Sequence, residues 1–197
     1  MNYIDNLRQY IVSTISDERY GHTLRTEQVS IALADRFGYS KEVMTTASLW
    51  HDVARKWSED ELVSYIKGHG LEALPYEIEN PMLLHGLVGA QLFSEWDPLM
   101  PFGVAEIESI WLAIRWHTTG NVQMGDPGYI LFIADYVEPG RTHLSGEAKE
   151  RILSLESLEE MVKLILEMQF EYFSTKGVSD VGPGRELYEK MCRECCL

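Results

Sequence analysis

The chain has 197 residues, 45% of them hydrophobic and 24% charged, enough to bury a core without disulfides or a structural metal as a staple. Its 31 acidic residues outnumber 17 basic ones for a net charge of −14, and a surface of that sign repels nucleic acid polymers and anionic membranes alike. No run approaches the roughly 18 apolar residues of a membrane span, and Met1-Asn2-Tyr3-Ile4-Asp5 lacks the basic and apolar segments of a signal peptide. Cys192, Cys195 and Cys196 crowd the last six residues, an odd set that is no disulfide framework and points to a reducing cytoplasm.

The pattern is helical nearly throughout. Ile4, Leu7, Ile11 and Ile15 recur at helical spacing over 3–15, and Val29, Ala32, Leu33 and Phe37 form a stripe over 19–37 that ends at Gly38. Ser40 caps a helix running through Val43, Ala47 and Trp50 towards Ala54, and Ser58-Glu59-Asp60-Glu61 reads as a capping box ahead of Leu62, Val63 and Ile66. A looser stretch over 70–81 leads into Leu83 to Phe93. After a break at Asp97-Pro98 and Pro101, Ile107, Ile110, Trp111 and Ile114 make Val104 to His117 periodic again. The apolar run Tyr129 to Val137 fits a buried helix beside these neighbours, and Pro139-Gly140 breaks it. Ser157 to Phe173 is amphipathic, and Pro183 opens a last helix ending in the cysteines. The expected fold is all-α, a multi-helix bundle forming one unit over 1–197, with a motif-bearing core at 20–145 and a C-terminal helical extension at 146–197.

Six histidines stand in the chain, and six polar residues in five placements draw attention. His51-Asp52 lies at the end of its helix, where neighbours about 100° apart both reach one point beyond the helix terminus. An imidazole and a carboxylate there suit a divalent transition metal. Asp135 sits inside Ile130-Leu131-Phe132-Ile133-Ala134-Asp135-Tyr136-Val137, where a carboxylate needs a cation or a firm hydrogen-bonding partner. His22, His85 and His117 each fall at a helix end. His69 and His143 occupy loop-like surroundings and read as surface residues. Trp50, Trp57, Trp111 and Trp116 have the look of a stacking set, although aromatics at helical spacing are commonly core.

His22, then His51-Asp52, then Asp135 resembles the pattern of the HD-domain superfamily of metal-dependent phosphohydrolases. The blocks Ala47-Ser48-Leu49-Trp50-His51-Asp52-Val53-Ala54, Leu84-His85-Gly86-Leu87-Val88-Gly89-Ala90, Ala113-Ile114-Arg115-Trp116-His117-Thr118-Thr119-Gly120 and Ile133-Ala134-Asp135-Tyr136-Val137-Glu138-Pro139-Gly140-Arg141 are similar to the YqeK family of bacterial symmetrical diadenosine tetraphosphate hydrolases. They run in order over about two thirds of the chain. Arg55 stands where the family has Lys, with Lys56 beside it, and Asp126-Pro127-Gly128-Tyr129 lacks the charges usual there.

The resemblance implies a divalent metal, iron above manganese, held by His22, His51, Asp52 and Asp135, with Asp52 also a candidate for orienting the water. It implies hydrolysis of diadenosine tetraphosphate at its central anhydride to two ADP, so the expected partner is a small dinucleoside polyphosphate or ADP. His85 and His117 either bind a second metal across Asp52 or contact phosphate, the arrangement the resemblance favours. Arg55 and Arg141 are the expected phosphate cations and Thr118 a further donor. Two other readings fit the residues: another HD-type nucleotide phosphohydrolase or phosphodiesterase, and a nucleotide-binding sensor without turnover.

Overall fold

Helices begin where the sequence supplies a side-chain acceptor for the first free backbone N–H groups. In the computed structural model, which describes residues 2–96, 100–178 and 181–194, Asn2 and Asp5 form a capping box for α1 (Tyr3–Thr14), Ser16 caps α2 (Asp17–Phe37) and Ser40 caps α3 (Lys41–Trp50). Ser58 and Glu61 form the box expected for α4 (Glu59–His69). Next come α5 (Pro75–Glu79), a 3₁₀ turn at Pro81–Leu83, α6 (Leu84–Glu95), α7 (Val104–Trp116) and α8 (Gly125–Val137). The chain ends in α9 (Gly146–Leu153), α10 (Leu158–Thr175) and α11 (Gly184–Glu194). Among the described residues there is no strand, as an all-α fold requires.

The expected elements recur with four corrections. The helix from Ser40 stops at Trp50 rather than running towards Ala54. From there Val53, Arg55 and Trp57 donate to the carbonyls three residues back (3.0–3.1 Å), so the backbone tightens into 3₁₀-type turns at His51-Asp52. On α2 the buried face carries His22, Thr23, Thr26, Glu27, Ser30, Leu33 and Ala34, while Ala32 of the expected stripe is exposed. Small and polar side chains face inward there because α2 packs closely on α3 and α8 and delivers a polar residue to their junction. The loose stretch over 70–81 contains α5, whose Glu77 is fully buried against Arg115 with oxygen–nitrogen distances of 2.5 and 2.6 Å. Finally, the expected C-terminal helical extension begins with a separate short helix, α9, that the periodicity did not single out, with Ser145 as its cap. The break at Asp97-Pro98 and Cys195 and Cys196 lie outside the described residues; Cys192 is half-buried on α11.

The core runs through Met44, Leu49 and Trp50 of α3, Phe93 of α6, Ile110 and Ile114 of α7 and Ile130 of α8. The tryptophans do not gather around a ligand. Trp50 stacks on Tyr10 at 5.3 Å and donates its Nε1–H to the Gly89 carbonyl at 2.7 Å; Trp57 meets Tyr65, and Trp116 lies under the Arg115 guanidinium. One glycine sets a helix spacing. A Cβ at Gly86 would fall 2.7 Å from the backbone oxygen of Arg115, so only glycine lets α6 lie directly on α7 at this point. The next residue on one side is His85, and the α7 cap is His117.

Candidate metal centre

Four segments meet at Asp52: α2 with His22, the tight turn with His51, α8 with Asp135, and the α6–α7 contact with His85 and His117. All these histidines and Asp52 are buried. Asp52 stands at the middle, each carboxylate oxygen turned to a different pair of rings. Its Oδ2 lies 3.4 Å from His51 Nε2 and 3.6 Å from His22 Nε2; its Oδ1 lies 3.5 Å from His85 Nε2 and 3.7 Å from His117 Nε2. Asp135 Oδ1 closes the first group, 2.9 Å from His22 Nε2 and 3.8 Å from His51 Nε2. Ligand atoms of His22, His51 and Asp135 all fall within 4.8 Å of one another, as do those of His51, Asp52 and His117.

The other nitrogen of each ring fixes which atom faces inward. His51 Nδ1 reaches the Ser48 carbonyl at 2.7 Å, His85 Nδ1 the Met82 carbonyl at 2.5 Å and His117 Nδ1 the Ile114 carbonyl at 2.7 Å. A carbonyl only accepts, so Nδ1 carries a proton, and in the neutral ring Nε2 presents a lone pair. His22 Nδ1 donates to Glu138 Oε1 at 3.1 Å, the carboxylate–histidine arrangement that orients a metal ligand. The inward set is therefore lone pairs and carboxylate oxygens crowded together, with His85 Nε2 and His117 Nε2 only 3.1 Å apart and His22 Nε2 and His51 Nε2 only 3.3 Å apart. A set of that chemistry is electrostatically self-consistent around cations, and its imidazole share suits a transition metal over Mg²⁺ or Ca²⁺.

Burial pushes the Asp52 carboxyl up, yet the surrounding His51, His117 and His85 outweigh it and hold Asp52 well below the usual carboxylate range. Burial likewise opposes ionisation of Asp135, and the His22 hydrogen bond and the Arg141 charge overcome it. Burial and the adjacent His117 push His85 down to about 3, so its ring is neutral near pH 7. Both carboxylates also hold guanidinium partners. Arg19 donates to Asp52 Oδ2 at 2.8 Å, while Arg141 donates to the Asp135 side chain and, through Nε at 2.8 Å, to its carbonyl.

Every residue expected at the site comes to it. A chamber of about 200 Å³ is lined by Asp52, Arg55, His85, His117, Thr118 and Arg141, and Asp135 also borders it. Arg55 has no carboxylate partner among the described residues. Thr118 Oγ1 lies 3.2 Å from His85 Nε2 and donates to it. Neither His69 nor His143 lines that chamber: His69 ends α4 rather than sitting in a loop, stacked on Tyr65 at 3.8 Å, and His143 meets the Tyr136 ring edge and lines, with Arg19, His22 and Arg141, a neighbouring cavity of about 310 Å³. Three participants went unrecognised in the sequence. Arg19 precedes His22 by three residues on the same helical face, and Glu138 follows Asp135 by the same interval; Arg25 binds Glu138 at 2.6 Å. The i, i+3 spacing was the available signal.

The HD domain family matches residues 19–140 of the chain. Over 141 residues the chain is 29% identical to a Staphylococcus aureus protein named symmetrical bis(5'-nucleosyl)-tetraphosphatase, covering 71% of this chain and 68% of that one. A Bacillus subtilis protein of the same name is 33% identical over 129 residues, or 64% of each chain. The chain thus spans about two thirds of the length of these relatives. The crystal structure of a predicted HD superfamily hydrolase involved in NAD metabolism from Clostridium acetobutylicum superposes with a TM-score of 0.84 at 25% identity, covering 98% of this chain and 99% of that one.

Proposed function

The chain belongs to the HD-domain family, and on that premise we propose that it is a divalent-metal-dependent phosphohydrolase that cleaves diadenosine tetraphosphate symmetrically into two ADP. The observation that carries the reading is the double-faced Asp52, with an imidazole pair at each oxygen. In this reading His22, His51, Asp52 and Asp135 would hold one cation, ferrous iron above manganese, and His85 and His117 with Asp52 would hold a second. A cation there supplies Lewis-acid polarisation of a phosphoryl oxygen and lowers the pKa of water. The tautomer favours ligation by His85 and His117 over phosphate contact, since a neutral Nε2 lone pair has no proton to donate to a phosphate oxygen.

The protein's own groups divide the remaining work. Arg55, with no carboxylate partner among the described residues, meets the phosphoryl oxygens, for which a guanidinium offers two parallel donors. Arg141 and Thr118 line the same chamber; Arg141 also keeps Asp135 ionised and aimed inward. Glu138 holds the His22 ring, and Arg25 holds Glu138. Asp52 orders the ligands and the attacking water from the middle of the site. The chain acts as one unit over 1–197 in the cytoplasm, on a small nucleotide rather than a nucleic acid polymer.

The test is a product assay. Full-length protein loaded anaerobically with ferrous iron, or with manganese, is given diadenosine tetraphosphate and the nucleotides are separated. ADP as sole product is expected. AMP with ATP would refute symmetric cleavage, and tight ADP binding without turnover would make the chain a nucleotide sensor.

A further inference from the structure

A second cavity adjoins the chamber beside Asp52 at Thr118. Leu83 and Thr118 also line a narrower cavity of about 70 Å³, whose other walls include Tyr76, Gln169, Phe170 and Phe173. Phe170 and Val181 in turn border a cleft of about 350 Å³ at the surface. The three cavities adjoin through these shared wall residues, and their chemistry changes from the metal centre outward. The inner part is cationic through Arg19, Arg55 and Arg141; the middle part is aromatic, with a single amide.

That middle part is built from α10 and the segment leading into α11, beyond the 19–140 stretch of the family match. Glycines bring the segment close. A Cβ at Gly184 would fall 2.9 Å from the Thr119 carbonyl oxygen, and one at Gly182 (φ +59°) 2.5 Å from the Tyr76 ring. The chain next to the α7 cap is thereby pressed against the C-terminal helices. Gln169, half-buried on α10, makes no side-chain hydrogen bond among the described residues, so its donor pair and its acceptor remain available at the slot.

We infer that this slot, together with the cleft of about 350 Å³ that shares Phe170 with it, receives the nucleobase of one nucleoside diphosphate half of the substrate, Phe170 and Phe173 supplying ring surface and Gln169 the hydrogen bonds to a purine edge. The inference rests on the phosphohydrolase reading for the place of the phosphates and adds what grips the base. An aromatic slot one step from a polyphosphate chamber fits a base because every base has a π-face to stack. A side-chain amide pairs its donor and acceptor with the N6–H and N7 of adenine.

The experiment compares the affinities of ADP and inorganic pyrophosphate for manganese-loaded full-length protein by calorimetry. Wild-type protein should favour ADP. In Phe173→Ala that margin should shrink about tenfold while pyrophosphate affinity and metal content hold, stacking on one aromatic being of that order. Phe173→Tyr, which keeps the ring, should retain the margin, and Gln169→Ala should lower the preference for ADP over UDP. Equal losses of ADP and pyrophosphate affinity in Phe173→Ala, or an ADP margin untouched in both alanine variants, would overturn the slot. The two proposals fail separately. A protein that yields ADP from diadenosine tetraphosphate but keeps its margin in both variants loses the slot alone. One that loses the margin in Phe173→Ala, yet never turned over the dinucleotide, keeps the slot and loses the hydrolytic reading.

Discussion

The two sides of Asp52 carry similar rings in different frames. At Oδ2, His22 and His51 are joined by Asp135, Arg19 and Arg141, with Glu138 and Arg25 behind them, so side-chain charge holds that half together. At Oδ1, His85 and His117 have the Thr118 hydroxyl and the edge of the His51 ring as side-chain companions, and their spacing comes from the contact of α6 on α7 at Gly86. A charge network is tuned by single side chains, whereas a backbone contact is disturbed only by bulk. The two halves should therefore fail in different ways.

Substitutions can separate those failures. Asp52→Asn removes the residue common to both halves, and bound metal measured by elemental analysis should fall to background while the helical circular dichroism persists; stoichiometric metal in this variant would refute the shared centre. His117→Ala should leave one metal equivalent of two, an outcome that dissects the Oδ1 half from the Oδ2 half. An unchanged metal count with weakened ADP binding would return His117 to a phosphate contact. Glu138→Gln leaves the Oδ1 half intact and should weaken metal binding at the other by about 10- to 100-fold, the usual cost of removing a carboxylate behind a ligating histidine. Gly86→Ala should lower stability by about 1–3 kcal/mol through overpacking, with the loss of metal confined to the Oδ1 half. A melting temperature equal to wild type would show that α6 and α7 have room to spare.

The smallest effect lies away from both halves. Burial, aided by Asp126 and Glu95 respectively, pushes the Tyr39 and Tyr65 hydroxyls up to about 12. Unfolded tyrosine ionises near pH 10, so the unfolded chain sheds protons first. The stability these groups confer is full below about pH 10 and is lost as pH rises towards 12. Tyr39→Phe should flatten the alkaline decline in melting temperature without altering metal affinity at neutral pH.

Legibility in the sequence followed the cost of burying polar groups. Asp135 stood out because its neighbours are apolar, and His51-Asp52 because it ends an apolar helix. Arg19, Arg25 and Glu138 did not, since a charged residue near a helix end looks the same whether it faces solvent or a ligand. The inward face of α2 was misjudged for a related reason. Hydrophobicity marks the stripe Val29, Ala32, Leu33 and Phe37, but close packing there selects small residues, and Thr23, Thr26 and Ser30 occupy the interface. The short α5 lies in a stretch flanked by prolines, with too few residues to show a period, and its only core contribution is the charge of Glu77.

His51, His85 and His117 share one local device: each ring is tied to the carbonyl three residues before it, at Ser48, Met82 and Ile114. The tie is made within a single turn of chain, so each ring is held without a partner from another helix. Little ordering entropy then remains to be lost when a ligand arrives. The acceptor is also one that no substitution deletes. Serine, methionine and isoleucine supply the same carbonyl at positions 48, 82 and 114, so the tie itself does not depend on which side chain stands there.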